Sequence, residues 1–177
     1  MKDIKKDIFR ENRVFIIAEI GNNHNGNIDL AYDMINKSKE IGVDCVKFQM
    51  RHIDEVYRKN SLLKSGDDLG TEYVIDLLNR FELSVEQHRE LAEYCNKIGI
   101  HYMCTPWDAK SIEVLESFDI KAYKVASADL TNIPLIHDLI KTNKPLILST
   151  GMSTLEEIKF TANYLDKNQA DYALLHC

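Results

Sequence analysis

Strand-like apolar runs alternate with helix-like segments along almost the whole chain, and this alternation limits the fold more than any other feature. The run at 14–20 is nearly continuous in apolar and β-branched residues, as expected of a strand buried on both faces. Similar runs recur, so six strands are predicted, at 14–20, 44–50, 100–105, 121–127, 144–150 and 171–177. Strict alternation predicts parallel strands joined by right-handed crossovers.

A predicted helix follows each of the first five strands. Apolar residues recur at roughly helical spacing over 29–41, 71–80, 84–98, 108–118, 132–142 and 153–165. Capping boxes open two of these helices, one formed by Ser84 with Gln87 and one over 153–156. The polar stretch 51–70 is predicted to be a long loop. Periodicity alone leaves two architectures open, an open doubly wound sheet and a (β/α)₈ barrel.

The composition excludes several classes of protein. Of 177 residues, 28 are acidic and 22 basic, and the resulting net charge of −6 argues against a nucleic-acid-binding surface. No run of about 18 apolar residues occurs, and 1–13 lacks the apolar segment of a secretory signal, so no membrane anchor is predicted. Four cysteines without a CxxC pair are typical of reduced thiols in a cytoplasmic protein. We expect a short N-terminal arm over 1–13 and one domain over 14–177.

Polar side chains lie near the carboxyl end of every predicted strand, where ligands bind in parallel α/β folds. The candidates for a site are Glu19, Asn22, Lys47, Gln49, Thr105, Lys124, Ser127, Asp129 and Ser149. Glu19 is predicted to be either an ion-pair partner or a proton-transfer group, whereas Asn22 and His24 could simply stabilise the turn at 21–26. The histidines show no metal-ligand spacing, so the residues themselves support no metal site.

Two lysines carry most of this prediction. Lys47 and Lys124 stand inside otherwise apolar strands, and either one alone could extend its ammonium to the rim of the sheet. A buried ammonium without a partner is costly, and no carboxylate on the adjacent strands is expected to pair with both. Two such lysines beside serine hydroxyls therefore predict a bound phosphate or carboxylate.

Six motifs then occur in order, AEIGNNHNG (18–26), VKFQ (46–49), CTPWD (104–108), YKVAS (123–127), STGMST (149–154) and ALLHC (173–177). Together they make the chain resemble the N-acetylneuraminate (sialic acid) synthase family from about Phe15 to its end. The resemblance implies a (β/α)₈ TIM barrel, of which this chain holds the first six strands. It also implies condensation of phosphoenolpyruvate with an N-acetylated mannosamine-like sugar, giving a nonulosonic acid and phosphate.

Carried over position by position, the resemblance assigns roles to the candidate residues. It implies that five residues hold phosphoenolpyruvate, namely Lys47, Thr105, Lys124, Ser127 and Ser149. It implies that Glu19 is the catalytic group facing the sugar, and the sugar-side candidates are Asn22, Gln49 and Asp129. Members of the family use a divalent ion, manganese or magnesium, whose histidine ligands belong to the last two strands, so no ligand is expected in this chain. A homodimer is implied for the complete enzyme.

The chain departs from the family pattern at several positions. Asp129 stands where many relatives have Glu, Ala128 replaces a Gly, and Trp107 occupies a position that is often Phe. A complete barrel needs roughly 250 residues, so the chain is expected to be a fragment without the last strands and the antifreeze-like domain. Such a fragment would have little activity of its own and would tend to associate through its last strand.

Two other functions remain open on the sequence. A Schiff-base aldolase would use Lys124 as its nucleophile, because apolar neighbours can lower the pKa of a lysine. A non-catalytic anion-binding module would need only the cationic and hydroxyl side chains.

Overall fold

The computed structural model describes residues 3–10, 12–57, 69–118 and 120–177, with side chains in the helix that begins at Leu69 described from Ile75 onward. Six strands form one parallel sheet whose order follows the sequence. They are β1 (Ile17–Gly21), β2 (Cys45–Met50), β3 (His101–Pro106), β4 (Tyr123–Val125), β5 (Leu146–Ser149) and β6 (Tyr172–Leu175). All six predicted strands are therefore present, and all but β3 are shorter than the predicted run.

Helices connect successive strands, as the alternation predicts. The α-helices are α1 (Ile4–Ile8), α2 (Ile28–Glu40), α3 (Ile53–Val56), α4 (Leu69–Phe81), α5 (Val85–Ile98), α6 (Ala109–Glu116), α7 (Ile133–Lys141) and α8 (Leu155–Lys167). A short 3₁₀ turn over Ser127–Asp129 follows β4. Within the parts of the chain given above, no helix has the length and apolar character needed to cross a membrane.

The two faces of the sheet carry different cores. The larger core lies between one face and the helices, and it includes Phe48 from β2, Leu91 from α5 and Leu139 from α7, all fully buried. The smaller core lies on the other face, where Ile4 of α1 packs with a set of strand-borne residues. These are Cys45, Met103, Ala122 and Ile147. The sheet is thus a half-barrel whose amino end is covered by α1.

Three local predictions need correction. The stretch 51–70 is not simply a loop, because α3 lies within it and α4 begins at Leu69, while residues 58–68 lie outside the described part. The backbone N–H of His52 donates to Asp108 at 2.8 Å just before α3, and the acidic first turn of α3 suits the positive end of a helix. The arm over 1–13 contains α1, which Asp3 caps.

The second capping box is formed one residue later than the sequence suggests. The Thr154 hydroxyl accepts from the backbone of Glu157, and the Glu157 carboxylate accepts from the backbone of Thr154. The predicted pairing of Ser84 with Gln87 at the start of α5 is confirmed. Both boxes satisfy backbone N–H groups that a helix start leaves open.

Candidate active site

A cavity of about 520 Å³ opens at the carboxyl ends of the strands on the concave face of the half-barrel. Its lining comprises Glu19, Lys47, Gln49, Thr105, Trp107, Lys124, Ala126, Ser127, Ser149, Leu175, His176 and Cys177. Seven of the nine predicted site residues are in this lining, so the structure brings most of them together. Asn22 and Asp129 do not line the cavity.

Alternation along the strands explains why these side chains meet. Successive residues of a strand point to opposite faces, so Cys45, Lys47 and Gln49 of β2 all point to the concave face. Cys45 belongs to the apolar core at the amino end, whereas Lys47 and Gln49 line the cavity above it. The register pairs Glu19 of β1 with Lys47 and Gln49 with Thr105 of β3, which places polar side chains at matching heights.

Lys47 has an anionic neighbour that sequence reasoning missed. Its ammonium, with the residue only 4% exposed, lies 2.7 Å from the carboxylate of Glu19 on the adjacent strand. Glu19 itself is half exposed at the mouth of the cavity. Glu19 thus pairs with Lys47 but not with Lys124, which agrees with the expectation that no carboxylate pairs with both lysines. The ion pair does not exclude a proton-transfer role for Glu19.

Lys124 is held in a different way. It is also 4% exposed, and its ammonium donates to the Ser149 hydroxyl at 2.5 Å and to the Val125 carbonyl at 2.8 Å. Both acceptors are neutral. Burial lowers the pKa of Lys124 to about 8, with Glu19 raising it and the charge of Lys47 lowering it further. An anion in the cavity would supply the missing counter-charge.

The Thr105 hydroxyl is a buried polar group at the cavity wall. Thr105 is 2% exposed, lines the cavity, and its Oγ1 has no hydrogen-bond partner among the described residues. Leaving such a group unpaired costs about 1–3 kcal/mol. A hydroxyl that faces a cavity with two ammonium groups is placed to donate to the same anion.

Close backbone approach shapes the wall beside Ser127. A Cβ at Gly151 would lie 2.9 Å from the Ser127 hydroxyl oxygen and 3.2 Å from Cβ of Cys177. Only glycine therefore lets the loop after β5 approach the end of β4. A hydrogen bond from Ser149 also lowers the pKa of the exposed Cys177 thiol.

The two predicted residues outside the cavity have local structural contacts. Asp129 accepts from the Asn132 side chain at 3.0 Å near the start of α7, and burial raises its pKa. The Asn22 backbone carbonyl accepts a hydrogen bond from the backbone N–H of Asn25 in the turn after β1. In the same turn His24 is buried and its Nδ1 accepts from Gly26 at 3.1 Å, which favours the turn-stabilising interpretation of that histidine.

Three polar or aromatic lining residues were not predicted as site residues, namely Trp107, His176 and Cys177. Cys177 follows Leu175 by two positions and so shares its face, which is the signal that alternation offered. Trp107 lies beyond the end of β3, where periodicity gives no direction.

The described residues do not form a metal centre. No group of three or more His, Cys, Asp or Glu side chains within them is close enough to hold a metal ion.

A parallel half-barrel with a lysine-lined cavity at the carboxyl ends of its strands places the chain in the α/β class, in which ligands bind at that end of the sheet. Comparison with known proteins identifies the family. The NeuB family profile matches residues 34–177. The chain belongs to the NeuB family.

Individual relatives agree with this assignment. An uncharacterized protein of Methanocaldococcus jannaschii is 43% identical over 164 residues, covering 92% of this chain and 45% of the relative. The N,N'-diacetyllegionaminic acid synthase of Legionella pneumophila is 38% identical over 177 residues, covering 92% of this chain and 48% of the relative. The chain spans about half the length of the curated relatives it matches.

A solved structure shares the fold. The N-acetylneuraminic acid synthetase of Leptospira borgpetersenii serovar Hardjo-bovis, in complex with citrate, superposes with a TM-score of 0.83 at 29% identity. The match covers 94% of this chain and 54% of that one.

Proposed function

We propose that the chain takes part in a sialic acid synthase-type condensation, in which phosphoenolpyruvate and an N-acetylated mannosamine-like sugar give a nonulosonic acid and phosphate. In this reaction the enol carbon attacks the aldehyde carbon of the open-chain sugar, and a C–C bond forms. Water adds to the central carbon, and phosphate leaves as its C–O bond breaks. Family membership supports the general reaction, and the cavity supports the phosphoenolpyruvate half.

The observation that carries this proposal is the convergence of two buried lysines and an unpaired hydroxyl on one cavity. Lys47 and Lys124 would offset the charge of the phosphate and carboxylate, and Thr105, Ser127 and Ser149 would donate hydrogen bonds to their oxygens. Because Lys47, Lys124 and Thr105 are buried, their interactions with an anion would be stronger than at the surface.

Glu19 would act on the sugar side of the same cavity. The alkoxide that forms when the aldehyde is attacked needs a proton and nearby positive charge. Lys47, 2.7 Å from the Glu19 carboxylate, supplies the charge, and the half-exposed Glu19 can exchange protons with solvent. In this proposal Gln49 binds the sugar, and Asn22 and Asp129 stay candidates for sugar contacts through loop movement.

Calorimetric titration of the 177-residue chain with phosphoenolpyruvate tests the proposal. Lys124→Met should weaken binding about 10- to 100-fold, because a charge-assisted hydrogen bond contributes about 1.5–3 kcal/mol. The matched control is Lys141→Met, whose exposed ammonium pairs with Asp138 away from the cavity. Equal affinity of the two variants, or no binding by the unmodified chain, would overturn the proposal.

One observation favours an alternative chemistry. A lysine with a pKa of about 8 is partly neutral near pH 8, and a neutral amine can form a Schiff base. Lys124 could therefore serve an aldolase instead. Borohydride reduction in the presence of pyruvate, followed by mass spectrometry, distinguishes the two: an aldolase becomes covalently modified at Lys124, and a phosphoenolpyruvate synthase does not.

A non-catalytic anion-binding role is the third candidate. It would be favoured if phosphoenolpyruvate raises the melting temperature while no product forms with N-acetylmannosamine and manganese. We expect little turnover from these 177 residues, because β6 pairs only with β5 in the described part of the chain and β1 only with β2. Two further parallel strands would close the half-barrel.

The remaining expectations belong to the complete enzyme. We propose that its divalent ion, manganese or magnesium, is held by residues outside this chain, and that it acts as a cytoplasmic homodimer. Manganese should then leave the melting temperature of the 177-residue chain within about 1 °C, whereas a shift comparable to that from phosphoenolpyruvate would show a metal site within it.

A further inference from the structure

Two hydrogen-bond donors hold the side chain of Gln49 in place at the cavity. Its Oε1 accepts from the Arg51 guanidinium at 2.5 Å and from the Trp107 indole N–H at 3.3 Å. Arginine and tryptophan side chains can only donate hydrogen bonds. The atom of Gln49 that faces them must therefore be its oxygen, and the amide NH₂ must face the other way.

The NH₂ group points toward the end of β1. A Cβ built on Gly21 would lie 3.2 Å from Gln49 Nε2, so the absence of a side chain at Gly21 leaves room for this group. Gly21 also has a positive φ of 55°, which disfavours other residues there. No hydrogen-bond acceptor of Gln49 Nε2 is found among the described residues.

The two donors are themselves fixed. The Arg51 guanidinium carbon lies 4.9 Å from the centre of the Trp107 ring, in a cation–π contact. The backbone N–H of Arg51 donates to the Glu82 carboxylate at 3.1 Å, and that of Trp107 donates to the Met50 carbonyl at 3.1 Å. Neither donor can turn away without breaking one of these contacts.

We propose that Arg51 and Trp107 are positioning residues that lock the Gln49 amide with its NH₂ group toward the end of β1, at the edge of the cavity, where it selects an acceptor oxygen on the sugar co-substrate. This inference rests on the proposed function for the identity of the co-substrate. Gln49 lies two residues beyond Lys47 on β2, toward the cavity mouth. It therefore sits above the lysines and on the side where the second substrate would enter.

The orientation can be tested without any ligand. In NMR spectra of the 177-residue chain, the Gln49 side-chain amide protons should show a nuclear Overhauser effect to the Gly21 α-protons. The effect should weaken at least twofold in the double variant Arg51→Met, Trp107→Phe, which keeps a long side chain and an aromatic ring but removes both donors. An absent effect in the unmodified chain, or an unchanged effect in the double variant, overturns the inference.

Ligand binding supplies the second test. With phosphoenolpyruvate saturating, the dissociation constant of N-acetylmannosamine should rise about threefold in Trp107→Phe and about tenfold in the double variant. The dissociation constant of phosphoenolpyruvate alone should change less than twofold. A general loss of packing would weaken both ligands alike, and that result would also overturn the inference.

Two further variants complete the design. Gln49→Glu keeps the shape and the acceptor for Arg51 but places an oxygen where the NH₂ group was, so it should weaken sugar binding at least as much as the double variant. Arg89→Met is the matched control for the arginine change, because Arg89 lies 5.1 Å from the Phe118 ring centre and does not line the cavity. If phosphoenolpyruvate fails to bind the unmodified chain, the proposed function fails, while the NMR result still decides the orientation.

Discussion

The two ends of the sheet differ in how their charged and polar side chains are paired. At the amino end, the Asp44 carboxylate accepts from the Arg13 guanidinium at 2.6 Å and from the Ile16 backbone at 2.9 Å. At the carboxyl end, neutral oxygens hold Lys124, and the Thr105 hydroxyl is unpaired as far as the chain is described. The amino end uses its polar groups to stabilise the fold, whereas the carboxyl end leaves hydrogen-bonding capacity for a ligand.

The contrast extends to the helix that covers the amino end. Asp7 of α1 lies 2.8 Å from His101 at the start of β3, and Lys5 of α1 forms an ion pair with Asp171 just before β6. Together with the buried Ile4, these contacts tie α1 across the half-barrel. One group at this end is less well satisfied, because the Nε of Arg10 has no hydrogen-bond partner in the described part of the chain. Opposite charges nevertheless lie close together here.

The largest expected effect comes from breaking the amino end. Asp44→Ala should lower the free energy of unfolding by about 3 kcal/mol, because it leaves Arg13 and the Ile16 N–H without their acceptor. Urea denaturation measures this loss. Asp138→Ala, which breaks an exposed pair with Lys141, should cost no more than about 0.5 kcal/mol. Equal costs would remove the distinction between the two ends, as would a loss of phosphoenolpyruvate affinity in Asp44→Ala.

The second prediction concerns the loss of folding stability at acidic pH, which we expect to come from a group at neither end of the sheet. His88 on α5 is 1% exposed and its Nδ1 lies 2.7 Å from the Tyr102 hydroxyl, beneath the helices rather than at an end. Burial lowers the pKa of His88 to about 4, with His24 adding to the shift. As the pH falls below about 6.5, His88 therefore becomes protonated in the unfolded chain but stays neutral in the folded chain. Stability should fall by about 2 kcal/mol between pH 7 and pH 5.

Urea titrations at both pH values measure this slope. His88→Gln should flatten it even if the variant is less stable throughout, whereas His137→Gln, which replaces an exposed imidazole, should retain it. A slope that survives in His88→Gln would place the acid-sensitive group elsewhere.

The sequence predicted the sheet well because its strands are marked by local composition. Short, mostly apolar runs separated by helical segments are compatible with only a few topologies. It did not predict α1 or α3, because a helix of four or five residues gains its stability from tertiary contacts such as that of Ile4 rather than from its own pattern.

The candidate site was predicted to the extent that it lies on strands. Lys47, Gln49 and Lys124 are in the cavity because alternation fixes the face on which a strand residue lies. Asn22 and Asp129 follow strand ends, and the direction of a loop depends on contacts that the sequence does not show. The pairing of Glu19 with Lys47 depends on register, which became known only with the fold.

The third prediction concerns the pH dependence at the carboxyl end. Because the pKa of Lys124 is about 8, the ligand-free chain loses this charge as the pH rises past 8. Phosphoenolpyruvate affinity should fall about tenfold between pH 7 and pH 9.5, since binding must then recharge the amine. Stability of the ligand-free chain should rise over the same range, because the unfolded lysine keeps its proton up to about 10.5. Calorimetry and urea titration measure the two trends, and both should vanish in Lys124→Met.

The smallest expected effect on stability comes from comparing two buried threonines. One has a hydrogen-bonded hydroxyl in the described structure, and the other does not. The hydroxyl of Thr161 on α8 donates to the Leu130 carbonyl at 2.8 Å, whereas that of Thr105 has no partner within the residues that the structure describes. Thr161→Val should therefore lower the free energy of unfolding by about 1 kcal/mol, and Thr105→Val should raise it by about 1 kcal/mol.

Binding should reverse this ranking. Thr105→Val should weaken phosphoenolpyruvate binding about tenfold, because it removes a hydroxyl that would donate a hydrogen bond to the ligand. Thr161→Val should leave the binding affinity unchanged. A destabilising Thr105→Val would mean that its hydroxyl is already satisfied in the ligand-free chain. The cavity would then resemble the amino end of the sheet, and the unpaired group that indicates an anion site would be lost.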